Sequence, residues 1–499
     1  MRNENVFLTM TILLAVFYGL LAQHGACQEP DTVWTRTFGT SIGEGAYAIN
    51  RTSDGAYIVT GEAETYYFGP KDLYLLKIDQ NGDSLWTRRY GGFATNVIGR
   101  SVTETSDGGF AAAGYAGINE TNEVYLLKTD SQGDFEWDAG FGPTPDNRSH
   151  CIRETSDGGF IIAGQAWVVH GAFGSYDAYI IKTNAQGGME WERFIGGDMN
   201  DFALSVCELQ DGGFVAAGAT QSFDVWDAYL FRLSAAGDSV WAVTRGGEAA
   251  DEATDIMELP DGSGLVFTGV SVAPGRGDAD VYLAGIDPDG QLLWSETYGG
   301  QNDDYGQSLA RTPDGGYIIT GMTASFSSFS WNVYVIRTDS QGGEMWSRTF
   351  GEDGDDRGHG VVQNPDGSFA VAGWTTSYGA GWLDVYLIKF EGDLTGTQPE
   401  VRMTIPADFA LSQNYPNPFN ARTVIPYALK AESKVSLSIY SITGELVTTP
   451  LDEVNQPGGD YRFIWDGADG KGQAVSTGIY VYQLRVGDRL QTKTLTLIK

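Results

Sequence analysis

A tryptophan recurring seven times at intervals of 50 to 54 residues, an Asp–Gly pair recurring with it, and a chain rich in glycine and aromatics predict an all-β protein. The specific expectation is a seven-bladed β-propeller with an N-terminal closure strand, followed by a C-terminal Ig-like β-sandwich. The tryptophans are Trp34, Trp86, Trp137, Trp191, Trp241, Trp294 and Trp346, and 67 Gly accompany 13 Trp, 25 Tyr and 24 Phe in 499 residues. A chain of that length exceeds one ordinary core, so more than one domain is expected. The boundaries read as a signal peptide over 1–27, a propeller over 28–393, a linker over 394–408 and the Ig-like domain over 409–499.

Each copy holds four strand-like runs. The first carries the Trp and ends in an aromatic residue and Gly, as in Phe350-Gly351. The second alternates apolar and polar residues up to an Asp–Gly pair, of which Asp54-Gly55, Asp107-Gly108 and Asp157-Gly158 are the first three. A two-residue hairpin there needs positive φ at both central positions. The third run is aromatic and apolar, as in residues 160–164, and reads as a middle strand buried on both faces. The fourth begins Asp-x-Tyr at Asp72, Asp177, Asp227, Asp280 and Asp384, with Glu123 and Asn332 standing in elsewhere. A basic residue follows five positions later in most copies: Lys77, Lys128, Lys182, Arg232, Arg337 and Lys389. A short Asp-x-x-Gly turn joins the fourth run to the next Trp run. A blade is therefore runs two, three and four plus the following Trp run. Counted this way the last blade lacks its Trp strand while a spare one stands at Trp34, and pairing the two closes the ring and removes an edge.

Residues repeated in every copy are read as structural, and a unique site is sought where the copies differ. Hairpin logic puts the short turns on one face and two variable connections on the other. One of these carries a carboxylate or amide ten residues before each Asp–Gly: Glu44, Asn147, Asp201, Asp251, Asp304 and Asp356, with Asn96 one place out of register. Carboxylates converging on the channel mouth, Asp201, Asp251, Asp304 and Asp356 above all, could hold Ca²⁺ through oxygen ligands; the alternative is that each caps its own turn. The other connection is rich in aromatics: Tyr66, Tyr67 and Phe68; Trp167, Phe173 and Tyr176; Phe223 and Trp226; Phe326, Phe329 and Trp331; Trp374, Tyr378 and Trp382. Trp167, Trp226, Trp331, Trp374 and Trp382 are the candidate ligand-binding residues, suited to stacking on sugar rings or gripping a peptide. The alternative is that they fold inward as loop cores.

Net charge is −34, and residues 400–499 hold ten basic and ten acidic side chains, so the acidic excess belongs to the repeats. It reads as a solvated surface, with a functional field as the alternative, and it excludes nucleic acid as a partner. The N-terminus reads as an export signal, with a retained membrane anchor as the alternative: Arg2, an apolar run over residues 6–22 that is slightly short for a span, then Gly25-Ala26-Cys27. No other segment is long and apolar enough to span a bilayer. A lipobox is disfavoured by His24, and Cys151 and Cys207 read better as buried thiols than as a disulfide. Catalysis has little support: His150, His170 and His359 lie in different copies, no Ser-centred elbow appears, and no two carboxylates are singled out. No catalytic residue is assigned.

After Phe390 the pattern changes. The motifs are residues 413–420 (QNYPNPFN), Ile439-Tyr440 with Gly444, Trp465-Asp466-Gly467, residues 476–480 (STGIY), Lys493 and Lys499. On these the segment resembles the type A C-terminal sorting domain of the bacterial type IX secretion system, related to the Ig-like domain of flagellar hook-capping proteins. The resemblance implies export across the outer membrane, with the type IX machinery as partner, and either removal of the domain or surface attachment. The repeats are similar to those of secreted bacterial propellers, a likeness that brings no activity with it. The expected function is a secreted or cell-surface propeller binding an extracellular glycan or protein. The alternatives are a polysaccharide hydrolase using carboxylates at the channel mouth and a structural surface protein.

Overall fold

Every repeat folds as one four-stranded antiparallel sheet. In the computed structural model, β1 (Thr32–Phe38) is followed by β2 (Glu44–Arg51), β3 (Tyr57–Glu64), β4 (Lys71–Ile78) and β5 (Ser84–Tyr90), and β2 to β5 pair in sequence order as sheet 1. Sheets 2 to 6 repeat that order over residues 96–141, 147–195, 201–245, 251–298 and 304–350. Sheet 7 takes its three inner strands from Asp356–Gln363, Phe369–Thr375 and Asp384–Phe390, and its outer strand is β1, paired with Asp384–Phe390. The described residues run from 32 to 497 without 68, 93–94, 119–120, 171–172, 223–224, 247–249, 273–278, 327–329, 392–408, 412–422, 432, 458, 466, 472 and 488. The expected signal peptide and linker, residues 413–420, Asp466 and Lys499 therefore lie outside them. No helix occurs among the described residues.

The middle strands are buried on both faces, as their unbroken apolar runs predict; β3 is buried at all eight positions. The recurrent tryptophans sit on the outer strands and reach the next sheet. Trp34 lies against Gly82 of sheet 1, Trp86 against Gly133 of sheet 2 and Trp137 against Gly187 of sheet 3. Those glycines have φ near +80° and face an indole directly, so a Cβ there is excluded by both backbone and contact. Trp34 joins Tyr57, Val59, Ala370 and Leu387 in one core cluster, so sheet 7 packs against sheet 1. Glutamates at the ends of first strands add a polar tie: Glu104 accepts from the Ser53 N–H at 2.6 Å, and Glu208 from the Ser156 N–H at 2.7 Å.

The Asp–Gly turns differ from the two-residue expectation. Only the glycine is left-handed, at φ +86° for Gly55, while Asp54 is not. The Gly55 N–H donates to the Thr52 carbonyl and the Thr52 N–H to the Ala56 carbonyl, both at 2.9 Å, which is a type I turn closed by a left-handed Gly. The Asp side chain fixes that geometry by accepting from Thr52 Oγ1 and the Ala56 N–H. The basic residue of the fourth run then locks the turn to its own sheet: Lys77–Asp54 at 2.7 Å, Lys128–Asp107 at 2.9 Å, Lys182–Asp157 at 2.8 Å and Arg337–Asp314 at 2.6 Å. Sheet 5 has Gly285 at that position, and the Trp294 indole fills the space.

The second unit, Thr395–Lys499, is a two-sheet sandwich. One sheet has the order Phe409–Leu411, Thr423–Leu429, Gly459–Trp465; the other has Leu446–Gln456, Ser433–Ser441, Gly478–Val486, Arg489–Leu497. Its core gathers Ile425, Leu437, Trp465, Tyr482 and Leu495 from both.

Candidate functional site

The capping carboxylates come first along each inner strand. Asp201, Asp251, Asp304 and Asp356 are its first residues in sheets 4 to 7, and all four are buried. Asp201 accepts from the Gly197 N–H at 2.8 Å and Ser222 Oγ at 2.9 Å, and from Thr220 Oγ1. Asp356 repeats the pattern with the Glu352 N–H, Ser377 Oγ at 2.6 Å and Thr375 Oγ1. Asp304 accepts from the Gly300 N–H at 2.8 Å and Ser325 Oγ at 2.7 Å. Each ties together the two variable connections of its own sheet, the turn-capping arrangement. Asp251 faces Asp227 of the preceding sheet across Gly246, and burial followed by the Asp251 charge pushes the Asp227 carboxyl up. Glu44 and Asn147 begin their strands in the same way, whereas Val97, not Asn96, holds the matching place in sheet 2. Asn96 instead accepts from the Lys71 N–H, the task that Asn200, Asp303 and Asp355 perform in other sheets. Among the described residues no three His, Cys, Asp or Glu side chains are grouped as metal ligands. Asp201→Ala is expected to cost about 2–4 kcal/mol, because one buried and two half-buried donors lose their acceptor. Melting curves should be unmoved by Ca²⁺ or a chelator; a Ca²⁺-dependent rise lost in D201A would make these carboxylates metal ligands.

The candidate tryptophans divide. Trp167, Trp226, Trp331 and Trp374 are half-buried in ring contacts within their own sheets, which Phe202–Tyr176 and Arg357 link across sheet boundaries. Trp226 stacks on Phe202 at 5.2 Å, Phe202 meets Tyr176 at 5.9 Å, and Tyr176 meets Trp167 edge-on at 5.1 Å. Arg357 lies between Trp331 and Trp374, at 5.7 and 4.9 Å from their rings. Trp382 is exposed, as are Tyr66, Tyr67, Phe173 and Phe326 on the same kind of connection. Sheet 3 carries its hairpin furthest: Phe160–His170 and Phe173–Thr183 are eleven residues each, and Phe173 near the tip is 82% exposed. Phe68, Phe223 and Phe329 lie outside the described residues.

A feature invisible as a motif lies between the sheets. Every first strand breaks register seven residues before the Asp of its Asp–Gly pair, leaving one extra residue: Tyr47, Arg100, His150, Leu204, Thr254, Gln307 and His359 in sheets 1 to 7. These seven and their neighbours line a cavity of about 590 Å³ to which all seven sheets contribute. Burial, then the charge of Arg100, lowers the His150 pKa to about 4 and the His359 pKa to about 3, so both imidazoles are neutral at pH 7. Cys151 and Cys207 are both free, and burial pushes the Cys207 thiol up to about 12. The bulge residues share no chemistry from copy to copy, so sequence reading passes over them; the signal is their constant place, seven residues before the Asp of each Asp–Gly pair.

The FlgD Ig-like domain family matches residues 420–488. The regulatory protein FlaEY of Caulobacter vibrioides is 25% identical over 213 residues, covering 38% of this chain and 22% of its own length. Among solved structures, a fungal alcohol oxidase of the AA5 family in complex with copper is similar with a TM-score of 0.46 and 11% identity, over 94% of this chain and 100% of that one. Sqt1 of Chaetomium thermophilum is similar with a TM-score of 0.43 and 11% identity, over 73% of this chain and 98% of that one. Likenesses this remote carry no activity across. The two-sheet sandwich and the family match agree on the second unit: residues 420–488 form an Ig-like domain similar to that of the FlgD family.

Proposed function

We propose that the seven sheets close into a seven-bladed β-propeller, with β1 as the closure strand of the last blade. On this reading the chain is a secreted or cell-surface bacterial protein whose variable face binds an extracellular glycan or protein. The C-terminal domain is its delivery signal for type IX secretion, in the type A class, and residues 1–27 are its signal peptide. Closure is supported by the pairing of β1 with the last repeat and the packing of Trp34 on sheet 1. The observation that carries the binding reading is the set of exposed aromatics on one kind of connection: Tyr66, Tyr67, Phe173, Phe326 and Trp382. Aromatics left in water on a variable face are what a stacking or gripping surface requires.

The test is a glycan array probed with the whole chain, with and without Ca²⁺. Binding is expected to be Ca²⁺-independent and to fall at least about tenfold in the F173A/W382A double variant. A blank array would move the reading to a protein partner or a structural role. One observation favours the hydrolase alternative. Glu252 holds the place in sheet 5 that Phe202 and Tyr305 hold in sheets 4 and 6, and burial pushes its carboxyl up. Turnover of an array hit, lost in E252Q, would establish that class.

A further inference from the structure

We propose that the central cavity is an oxyanion-binding site centred on Arg100, taking a carboxylate or sulfate group. Its lining includes four cationic side chains, Arg51, Arg100, Arg153 and Arg311, and one anionic side chain, Asp255. That balance stands inside a chain of formal net charge −34. Asp255 is committed to neutral donors: Ser205 Oγ at 2.8 Å and the Ile256 N–H at 3.0 Å on one oxygen, Ser308 Oγ at 3.2 Å and the Leu309 N–H at 3.0 Å on the other. Among the described residues none of the four arginines forms an ion pair.

Arg100 is the best organised of them. Its guanidinium lies 4.1 Å over the Tyr47 ring and hydrogen-bonds the Tyr115 side chain, which together hold its plane. Its Nε has no hydrogen-bond partner, and neither does Nε2 of His359, a neighbouring bulge residue. The Glu62 carboxylate that acts on it is itself paired with Lys71, and an oxyanion entering beside the buried guanidinium gains charge-assisted hydrogen bonds. The neutral His359 imidazole beside it can add an N–H donor without adding charge repulsion, whereas the His150 N–H is spent on Gln165 Oε1. A space of about 590 Å³ accepts a group the size of one sugar ring. The oxyanion can arrive as a free inorganic ion or as the acidic group of a sugar.

This site does not depend on the aromatic face, and a blank glycan array leaves it standing. The test is calorimetric titration of the whole chain with sodium sulfate, sodium glucuronate and glucose, at constant ionic strength. The expected result is saturable one-to-one binding of at least one anion and none of glucose. Sulfate binding alone identifies a free inorganic oxyanion, and tighter glucuronate binding identifies the acidic sugar. R100Q should weaken binding at least about tenfold and R100K by less, since charge alone remains. R88Q on β5, where Arg88 pairs with Asp134, should leave it unchanged. Should R100Q fail to fold, H359A serves in its place, with a loss of about threefold expected. Absence of saturable binding to the unaltered chain, or unchanged affinity in a folded R100Q or H359A, overturns the proposal.

Discussion

Removing β1, or truncating Trp34 within it, is expected to destabilise the repeat unit more than any other single change to an outer strand. Trp34 is 8% exposed, buries its ring against Gly82 and donates Nε1–H to the Gln80 carbonyl at 3.1 Å. Trp34→Ala should cost about 3–5 kcal/mol, the usual penalty for a buried Trp, and lower the melting temperature by roughly 10 °C. Deleting Thr32–Phe38 should do more, because it also strips Asp384–Phe390 of its partner and bares an edge strand. Calorimetry and light scattering would show a lower, broader transition with aggregation. If deletion leaves the transition unchanged, β1 does not close the propeller and that part of the proposed architecture falls.

Asp314→Ala should be the most damaging change in a turn. Both Asp314 oxygens accept from Arg337 Nη2, at 2.7 and 2.6 Å, and the Arg337 side chain is 2% exposed. Removing the carboxylate takes the charged acceptor from a buried guanidinium, leaving Nη1 on the Thr338 carbonyl, and should cost about 3 kcal/mol. Asp261→Ala is the internal control. Sheet 5 has Gly285 in place of the base, so no buried cation loses its partner and the loss should be a small fraction of that in D314A. Comparable losses in the two variants would mean that the turn, not the ion pair, is what the Asp supports.

The same pairs set an acid limit. Burial pushes Asp54, Asp107 and Asp157 up, but hydrogen bonds from the lysines, neighbouring threonines and backbone outweigh it and hold all three at about 2. Their folded pKa values lie below the unfolded one, so their contribution is present above pH 4 and is lost as pH falls from about 4 to 2. The three side chains are more than half exposed, so each contributes only about 0.5 kcal/mol.

Much of the repeat unit was legible because its information is local. Trp spacing, turn residues and apolar runs predicted four strands per repeat and a spare N-terminal strand. The turn type was misread because the Asp side chain and a lysine twenty-odd residues on decide it, and neither belongs to the two-residue rule. The candidate site was less legible. Sequence position put Asp201 and Asp356 at the right place along their strands. It could not show that hydroxyls from Ser222 and Ser377, 21 residues further on, already occupy them.

The sequence by itself determined the number of repeats, the pairing order within each sheet and the change of architecture after Phe390. Each of these rests on a period or a neighbour a few residues away. Tertiary structure alone decided which aromatics stay in water, which carboxylates are spent on their own loops, and that Tyr47, Arg100, His150 and His359 meet around one cavity. Those four residues are spread over more than three hundred positions. Only the stacking of successive sheets brings them together, and no local propensity encodes that distance.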